Sequence, residues 1–388
     1  LFLTFFGEIF FAGTDGADAT RHLQSVRDNY FGMSFLTFLS DFLDLLLLNP
    51  KPYANDAYKH VLSFIAGIFY YPELIHVLAG LVMGYFFSES MYLLYKSKGS
   101  FKVSKYILFI LIIFVSNRTL IGLNSIRMWT GMWVLFYFSL CYWNKKSIPN
   151  LIALTVVPVF FHFSYVIFVL PILLAYYLRK YRKFVIAIYI ISFTFSFNLT
   201  AIQSYLPKDD ELFQKKATYM QSDETIEQKA ITRKETAKNV ATFVNLGTTV
   251  YKSYSIPFLC VLIIFYLLLN KNDDLINYLI ICGLLMLSLS NFVGFSPSIS
   301  GRSFTIAATY LVASSLLIMR SIYNVNSKLA QSWRVGSVVF FIISAPFLFY
   351  NVVVILRMVS AFILFFPAIS IFVGNDDISV RDFFVQLF

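Results

Sequence analysis

Residues 116–164 read SNRTLIGLNSIRMWTGMWVLFYFSLCYWNKKSIPNLIALTVVPVFFHFS. The apolar run that ends at Ser116 is interrupted by NRTLIGLNSIRMWTGMW, returns through apolar sequence to Lys145 and Lys146, and then meets VPVFFHFSY. Arg118 and Arg127 fall inside or at the edge of sequence fit for lipid, and His162 stands alone between apolar runs. An ionisable side chain at membrane depth is costly and usually faces a polar cavity or a partner. The stretch therefore predicts membrane-crossing helices that enclose a polar cavity, with the remaining chain as its support.

Composition agrees. Of 388 residues, 58% are hydrophobic, 19% aromatic and only 13% charged, and the mean hydropathy is +0.71. Repeated apolar runs of roughly 17 to 25 residues are what spanning requires, so the expected fold class is all-α, a polytopic integral membrane protein. A soluble fold is excluded. The formal net charge of +10 does not indicate nucleic acid, because the basic residues sit in short clusters between apolar runs. These are Lys96, Lys98, Lys102 and Lys105; Lys145 and Lys146; Arg179, Lys180, Arg182 and Lys183; and Arg320, Lys328 and Arg334. Such clusters set orientation by the positive-inside rule. Cys141, Cys260 and Cys282 all lie in apolar runs and support neither a disulfide framework nor a metal motif.

Orientation follows from the clusters. Pro72–Tyr95 is expected to cross from outside to inside, Tyr106 to about Ile121 to exit, and Leu123–Trp143 to return to Lys145. Asn117, Arg118, Asn124 and Arg127 then share the outer end of two adjacent helices, with Asn124 and Arg127 on one face through their i, i+3 spacing. Arg118 either lines the cavity or snorkels to the outer headgroups. Residues 151–178 are apolar yet flanked by basic clusters at both ends. Two short helices turning near His162 and Ser164 would keep both clusters inside, and broken helices are tolerated at membrane depth where they line a cavity. The alternative is one long tilted helix with a hydrogen-bonded core histidine.

The chain begins at Leu1 with about a dozen apolar residues before Gly13, too few to span at ~1.5 Å each, so the first helix is expected to start upstream. Residues 12–31 are polar and bring Asp15, Asp18, Arg21 and His22 close in sequence. A helix there would put Asp18 and Arg21 on one face. Residues 34–48 and 56–70 are half-polar and read as helices lying in the interface.

Beyond the broken stretch, Phe184–Phe197 exits and a long extracytoplasmic loop covers 198–254. Within 201–240 seven basic residues balance seven acidic ones, which fits an outside loop. Ile256–Asn270, Leu275–Ser290, Phe304–Met319 and Gly336–Tyr350 are the later spans, with Arg302 in an outer loop at 291–303. An interfacial segment after Arg357 leaves the C-terminus outside. The sum is about ten transmembrane helices plus a re-entrant hairpin, forming a single multi-span domain over 1–388.

The order DGADATRH, NSIRMWTG, NKK, FHFS and SGRSF resembles the EpsG/Wzy-type polymerase family of bacterial surface polysaccharides. Its pattern is an acidic D-x-x-R-[YH] segment, an N-x-x-R-x-W-x-[AG] helix start, an F-H-x-S turn and a late R-F. The similarity runs from about Gly13 to Leu317. Ser125 stands where glycine is common, Gly131 where alanine is common, and Ser303 interrupts the R-F pair. The resemblance implies a GT-C-like membrane architecture in the bacterial inner membrane. It implies an enzyme that transfers a growing glycan from undecaprenyl diphosphate to a sugar hydroxyl of an incoming lipid-linked unit. Partners implied are undecaprenyl-diphosphate-linked oligosaccharides, the lipid bilayer and a chain-length regulator protein.

The chemistry of the residues suits that task. A diphosphate leaving group calls for guanidinium forks, which stay charged and bind phosphate bidentately; Arg21, Arg118, Arg127 and Arg302, with Asn124, are the candidates. An acceptor hydroxyl calls for a base or an orienting group; Asp15, Asp18 and His162 are the candidates. No Asp-rich or His-rich motif suggests a metal, and neither metal nor cofactor is expected. A lipid-linked glycan flippase would also use arginines, although it would be expected to spread them through two repeated halves. A membrane O-acyltransferase would use His162 but would leave the arginines unexplained.

Overall fold

The computed structural model describes residues 18–47, 49–54, 56–97, 104–118, 120–195, 242–269, 273–294, 296–322, 325, 327–361 and 378–387. Of these, 84% are helical and none lies in a strand. Six helical stretches among them are long and apolar enough to cross a membrane, as a multi-pass membrane protein requires: Leu74–Lys96, Lys105–Asn144, Leu246–Leu269, Asp274–Phe292, Ser298–Ile322 and Lys328–Met358. Two compact units are formed, one from 1–97, 118–166 and 351–388, the other from 98–117 and 167–350.

In unit 1, α1 (Asp18–Asn29), α2 (Phe35–Leu46) and α3 (Ala57–Ile68) are each 12 residues long, about 18 Å and too short to span. Ser34 caps α2 by accepting from the Thr37 N–H. The exposed face of α2 carries Phe35, Leu39, Leu43 and Leu46 while Asp41 points inward. That polarity is inverted relative to a soluble helix and suits a lipid surface, as the sequence led us to expect. Asp41 is satisfied by the Tyr53 hydroxyl at 2.6 Å. His60, fully buried on α3, faces Phe38 O at 3.1 Å through Nε2 and the Tyr30 hydroxyl at 2.9 Å through Nδ1. The carbonyl can only accept, so Nε2 carries the proton and Nδ1 accepts from Tyr30.

The approach of α3 to the end of α1 is set by Gly67. A Cβ there would lie 2.5 Å from the Tyr30 carbonyl oxygen and 2.8 Å from Tyr30 Cβ. Because a backbone atom is in the way, Gly67→Ala is expected to destabilise the protein by about 1–3 kcal/mol. A lowered melting midpoint in detergent would register this; an unchanged midpoint would show that α1 and α3 separate freely.

The remaining helices of unit 1 are α4 (Leu74–Lys96) and α6 (Ile126–Asn144), which pack on each other, and α7 (Ile148–Phe161) against α6. A 3₁₀ turn, Ile121–Ser125, leads into α6. Ser147 caps α7 through the Asn150 N–H, and proline occupies its first turn. The apolar run 151–178 is broken at His162–Ser164, between α7 and α8 (Tyr165–Leu178), as expected.

Unit 2 contains α5 (Lys105–Ser116), α9 (Arg182–Ile191), α10 (Thr242–Val250), a π-turn at Tyr251–Ser255, α11 (Ile256–Leu269), α12 (Asp274–Phe292), α13 (Pro297–Ile322) and most of α14 (Lys328–Met358). The α12–α13 pair is its core, and Gly283 admits the Leu311 side chain, whose Cγ would be 2.5 Å from an added Cβ. Val335, Ile342 and Phe349 recur every seven residues on the exposed side of α14, giving it an apolar stripe fit for lipid. After α14, Ser360 and Ser379 form an isolated bridge before α15 (Val380–Leu387).

Several boundaries differ from those expected. Residues 242–254, assigned to the long loop, are helical and run into α11 through the π-turn. Arg302, assigned to a loop, lies inside α13, which starts at Pro297. Arg357 falls in the last turn of α14. Most of the expected loop, 198–241, and the segment 362–377 lie outside the described residues.

Candidate functional site

The two segments richest in candidates meet in unit 1 although about a hundred residues separate them. The free N–H groups of a helix start need acceptors, and Asn124 Oδ1 takes the Ala19 N–H of α1 at 3.2 Å. One residue on, Ser125 Oγ donates to Asp18 Oδ2 at 2.6 Å. The 3₁₀ turn is thus docked on the first turn of α1. Arg21 Nη1 lies 4.0 Å from Asp18 Oδ1, on the common face expected from their spacing; both side chains are exposed, so the pair adds little stability.

The turn delivers Arg127 to the next element. Arg127 Nη1 donates to Asp56 Oδ2. Asp56 occupies the N-cap position of α3, where an aspartate ordinarily accepts a helix N–H, yet its side chain makes no such bond and turns to the arginine instead. One turn along α3, Lys59 is only 8% exposed and donates to Ser25 Oγ of α1 at 3.2 Å. His22, one turn before Ser25, is 5% exposed, and its Nδ1 has no hydrogen-bond partner.

The electrostatics follow from this crowding. Burial, reinforced by the charges of Lys59 and Arg127, pushes His22 down to about 2, so the imidazole is neutral at physiological pH. Burial and the neighbouring Arg127 bring Lys59 down to about 8, against the opposing pull of Asp56 and Asp18. Half-buried Arg127 and buried Lys59 share one buried carboxylate, Asp56, an excess of positive charge beside a neutral imidazole.

Arg118 is also in unit 1. Its guanidinium carbon sits 4.5 Å from the centre of the Trp129 ring, and its φ of +61° is unusual for a residue with a Cβ, a strain of about 1–2 kcal/mol. The side chain lies on the indole face. His162 caps the end of α7, and its Nδ1 is engaged by the Ser164 N–H at 3.1 Å and Ser164 Oγ at 2.8 Å, so its orientation is fixed by its own turn. Asp15 lies outside the described residues.

The sequence reading missed Asp56 and Lys59 and gave His22 no role. A signal was present for Lys59, a cation in the apolar segment AYKHVLSFIAGI, but nothing local tells that it faces α1.

Unit 2 holds a separate cavity of about 550 Å³. Lys252 and Ser253 of the π-turn, Ser290 and Asn291 at the end of α12, and Ser300 and Phe304 of α13 line it. Π-turns inside helices often mark functional positions, and this one carries Lys252 to the cavity, 5.8 Å from the Phe304 ring centre. Arg302 is two residues from both Ser300 and Phe304, which turns it roughly 160–200° away around α13. Arg302 is not among the lining residues.

Searches against protein-family models, curated proteins and solved structures found nothing that matches this chain.

Proposed function

We propose that the protein polymerises lipid-linked oligosaccharides at the extracytoplasmic face of the bacterial inner membrane. The observation that carries this reading is the meeting of the DATRH and NSIR segments, joined by the Asn124–Ala19 and Ser125–Asp18 hydrogen bonds. Two segments that resemble separate polymerase motifs thereby contribute to one charged cluster. In the reaction, a sugar hydroxyl oxygen of the incoming unit bonds to the anomeric carbon of the growing glycan. The bond from that carbon to the undecaprenyl diphosphate oxygen breaks, and its electron pair leaves with the diphosphate.

Arg127, with Arg21 and Arg118, serves the diphosphate, since fixed guanidinium groups stabilise charge that grows as the bond breaks. Asp18, Asp15 and His162 serve the acceptor hydroxyl and its proton. Arg127 needs its fork aimed, and Asp56 does that by holding one nitrogen. The cations supply the charge stabilisation, so the reaction is metal-independent in this reading. Ten crossings, a re-entrant hairpin turning at His162 and an outside loop complete the proposed topology, with the lipid bilayer and a chain-length regulator as partners.

Inactivating the protein in a cell that makes the glycan tests this against its rivals. Single lipid-linked repeat units should accumulate on the outer leaflet. Accumulation on the inner leaflet would indicate a flippase, and full-length polymer lacking an ester would indicate an O-acyltransferase.

A further inference from the structure

A buried lysine without a carboxylate beside it is an expensive feature unless something anionic completes it. Among the described residues no carboxylate oxygen lies within 4.0 Å of Lys59 Nζ; its neighbour is the uncharged Ser25 Oγ, at 3.2 Å. His22, close by on the same face of α1, leaves a buried Nδ1 unpartnered. Two features of one locus, an ammonium whose nearest hydrogen-bond partner is a hydroxyl and a buried ring nitrogen without a partner, can be met by one anionic group.

We infer that Lys59 and His22 form, with Arg127, a binding site for a phosphate-type anion, in which the Lys59 ammonium contacts the anion directly and His22 contributes Nδ1. A protonated His22 would donate to a phosphate oxygen; a neutral one with its proton on Nδ1 would do the same. That the site takes such an anion stands on these contacts alone. That the anion is the diphosphate of a lipid-linked glycan rests on the proposed function.

The site has a consequence that mere packing does not. The groups around Lys59 are Asp18, Arg21 and His22 of α1, Asp56 of α3, His76 of α4 and Arg127 of α6. With the anion absent, Lys59 is partly deprotonated near pH 8. An arriving anion favours the ammonium, so binding should draw a proton from solution in that range.

The test uses the purified chain in nanodiscs of phosphatidylcholine only, with inorganic pyrophosphate as the probe, titrated calorimetrically at pH 8 in buffers of different ionisation enthalpy. Wild type should bind with proton uptake. Lys59→Met should bind at least tenfold more weakly with that uptake gone, yet melt no lower than wild type without ligand, because a buried unpaired charge has been replaced by an apolar chain of similar length. Lys59→Arg should keep binding and lose the uptake. A second titration in discs containing phosphatidylglycerol separates the sources: competition by this lipid assigns the phosphate to an ordinary phospholipid headgroup, and its absence assigns it to a diphosphate, free or lipid-linked. Failure of wild type to bind in either disc, or unchanged binding by Lys59→Met, overturns the site. So does a lower melting midpoint for the ligand-free Lys59→Met chain. Pyrophosphate binding in a protein that does not extend lipid-linked units would leave the anion site standing and remove the polymerase reading. Full polymer formation by Lys59→Met would leave the polymerase reading standing and show that the anion bound at Lys59 is not the diphosphate of its substrate.

Discussion

Arg127→Lys is expected to lower polymer formation by on the order of 100-fold while leaving the protein folded. The substitution keeps the charge and loses the planar fork, so a single ammonium would have to satisfy Asp56 and the substrate together. The pair seen between Arg127 and Asp56 makes the effect larger than a simple contact would: Asp56 is nearly buried, with 8% of its side chain exposed, and will draw the shorter lysine toward itself. Asp56→Asn is the companion change. It keeps the shape and removes the charge that aims Arg127, and breaking a buried pair commonly costs 3–5 kcal/mol. Because 26% of the Arg127 side chain is exposed, solvent screens the remaining charge and about 2 kcal/mol is expected. Polymer yield per folded protein, with melting midpoints alongside, checks both. Normal yield from Arg127→Lys would remove this arginine from the reaction.

Acidification is expected to destabilise the protein below pH 6.5 through His22. The group titrates at about 2 when folded and at 6.5 when free. Between those values the unfolded chain binds a proton that the folded chain does not, so stability is intact above 6.5 and falls as pH drops through it. At about 1.4 kcal/mol per pH unit, the loss reaches about 2 kcal/mol by pH 5. His60, also lowered by burial, acts in the same direction. His22→Leu should flatten the fall in melting midpoint between pH 7 and pH 5; an identical slope in wild type and variant would contradict the environment described for His22.

What could be read from the sequence was whatever depends on composition over one helix. The span at 72–95, the presence of two short helices at 34–48 and 56–70 and the break at His162 were legible because apolar run length and charge clusters are local signals, although α3 turns out to be largely buried in the protein. The Asp18–Arg21 face was legible for the same reason, since three residues fix it. The helical junction between α10 and α11 was not. The run Lys252, Ser253, Tyr254, Ser255 reads as loop, and only the π-turn lets the helix continue through it. Arg302 was misplaced because SPSISGRS looks like a loop, although Pro297 at the first position of α13 is a favoured helix start. The Arg127–Asp56 pair joins residues 71 apart, and Lys59 meets Ser25 from 34 residues away. Such partners are chosen by helix packing, which no single stretch encodes. His22 lies in a segment polar enough to be taken for a solvated loop, and its burial depends on helices that follow much later in the chain.

The decisive measurement gives the purified protein lipid-linked repeat units alone, with no nucleotide sugar, no acyl donor and a chelator present. A polymerase should yield a ladder of polymers with one undecaprenyl diphosphate released per linkage formed. Units that are acetylated, or that cross the bilayer without being extended, would contradict the proposed function.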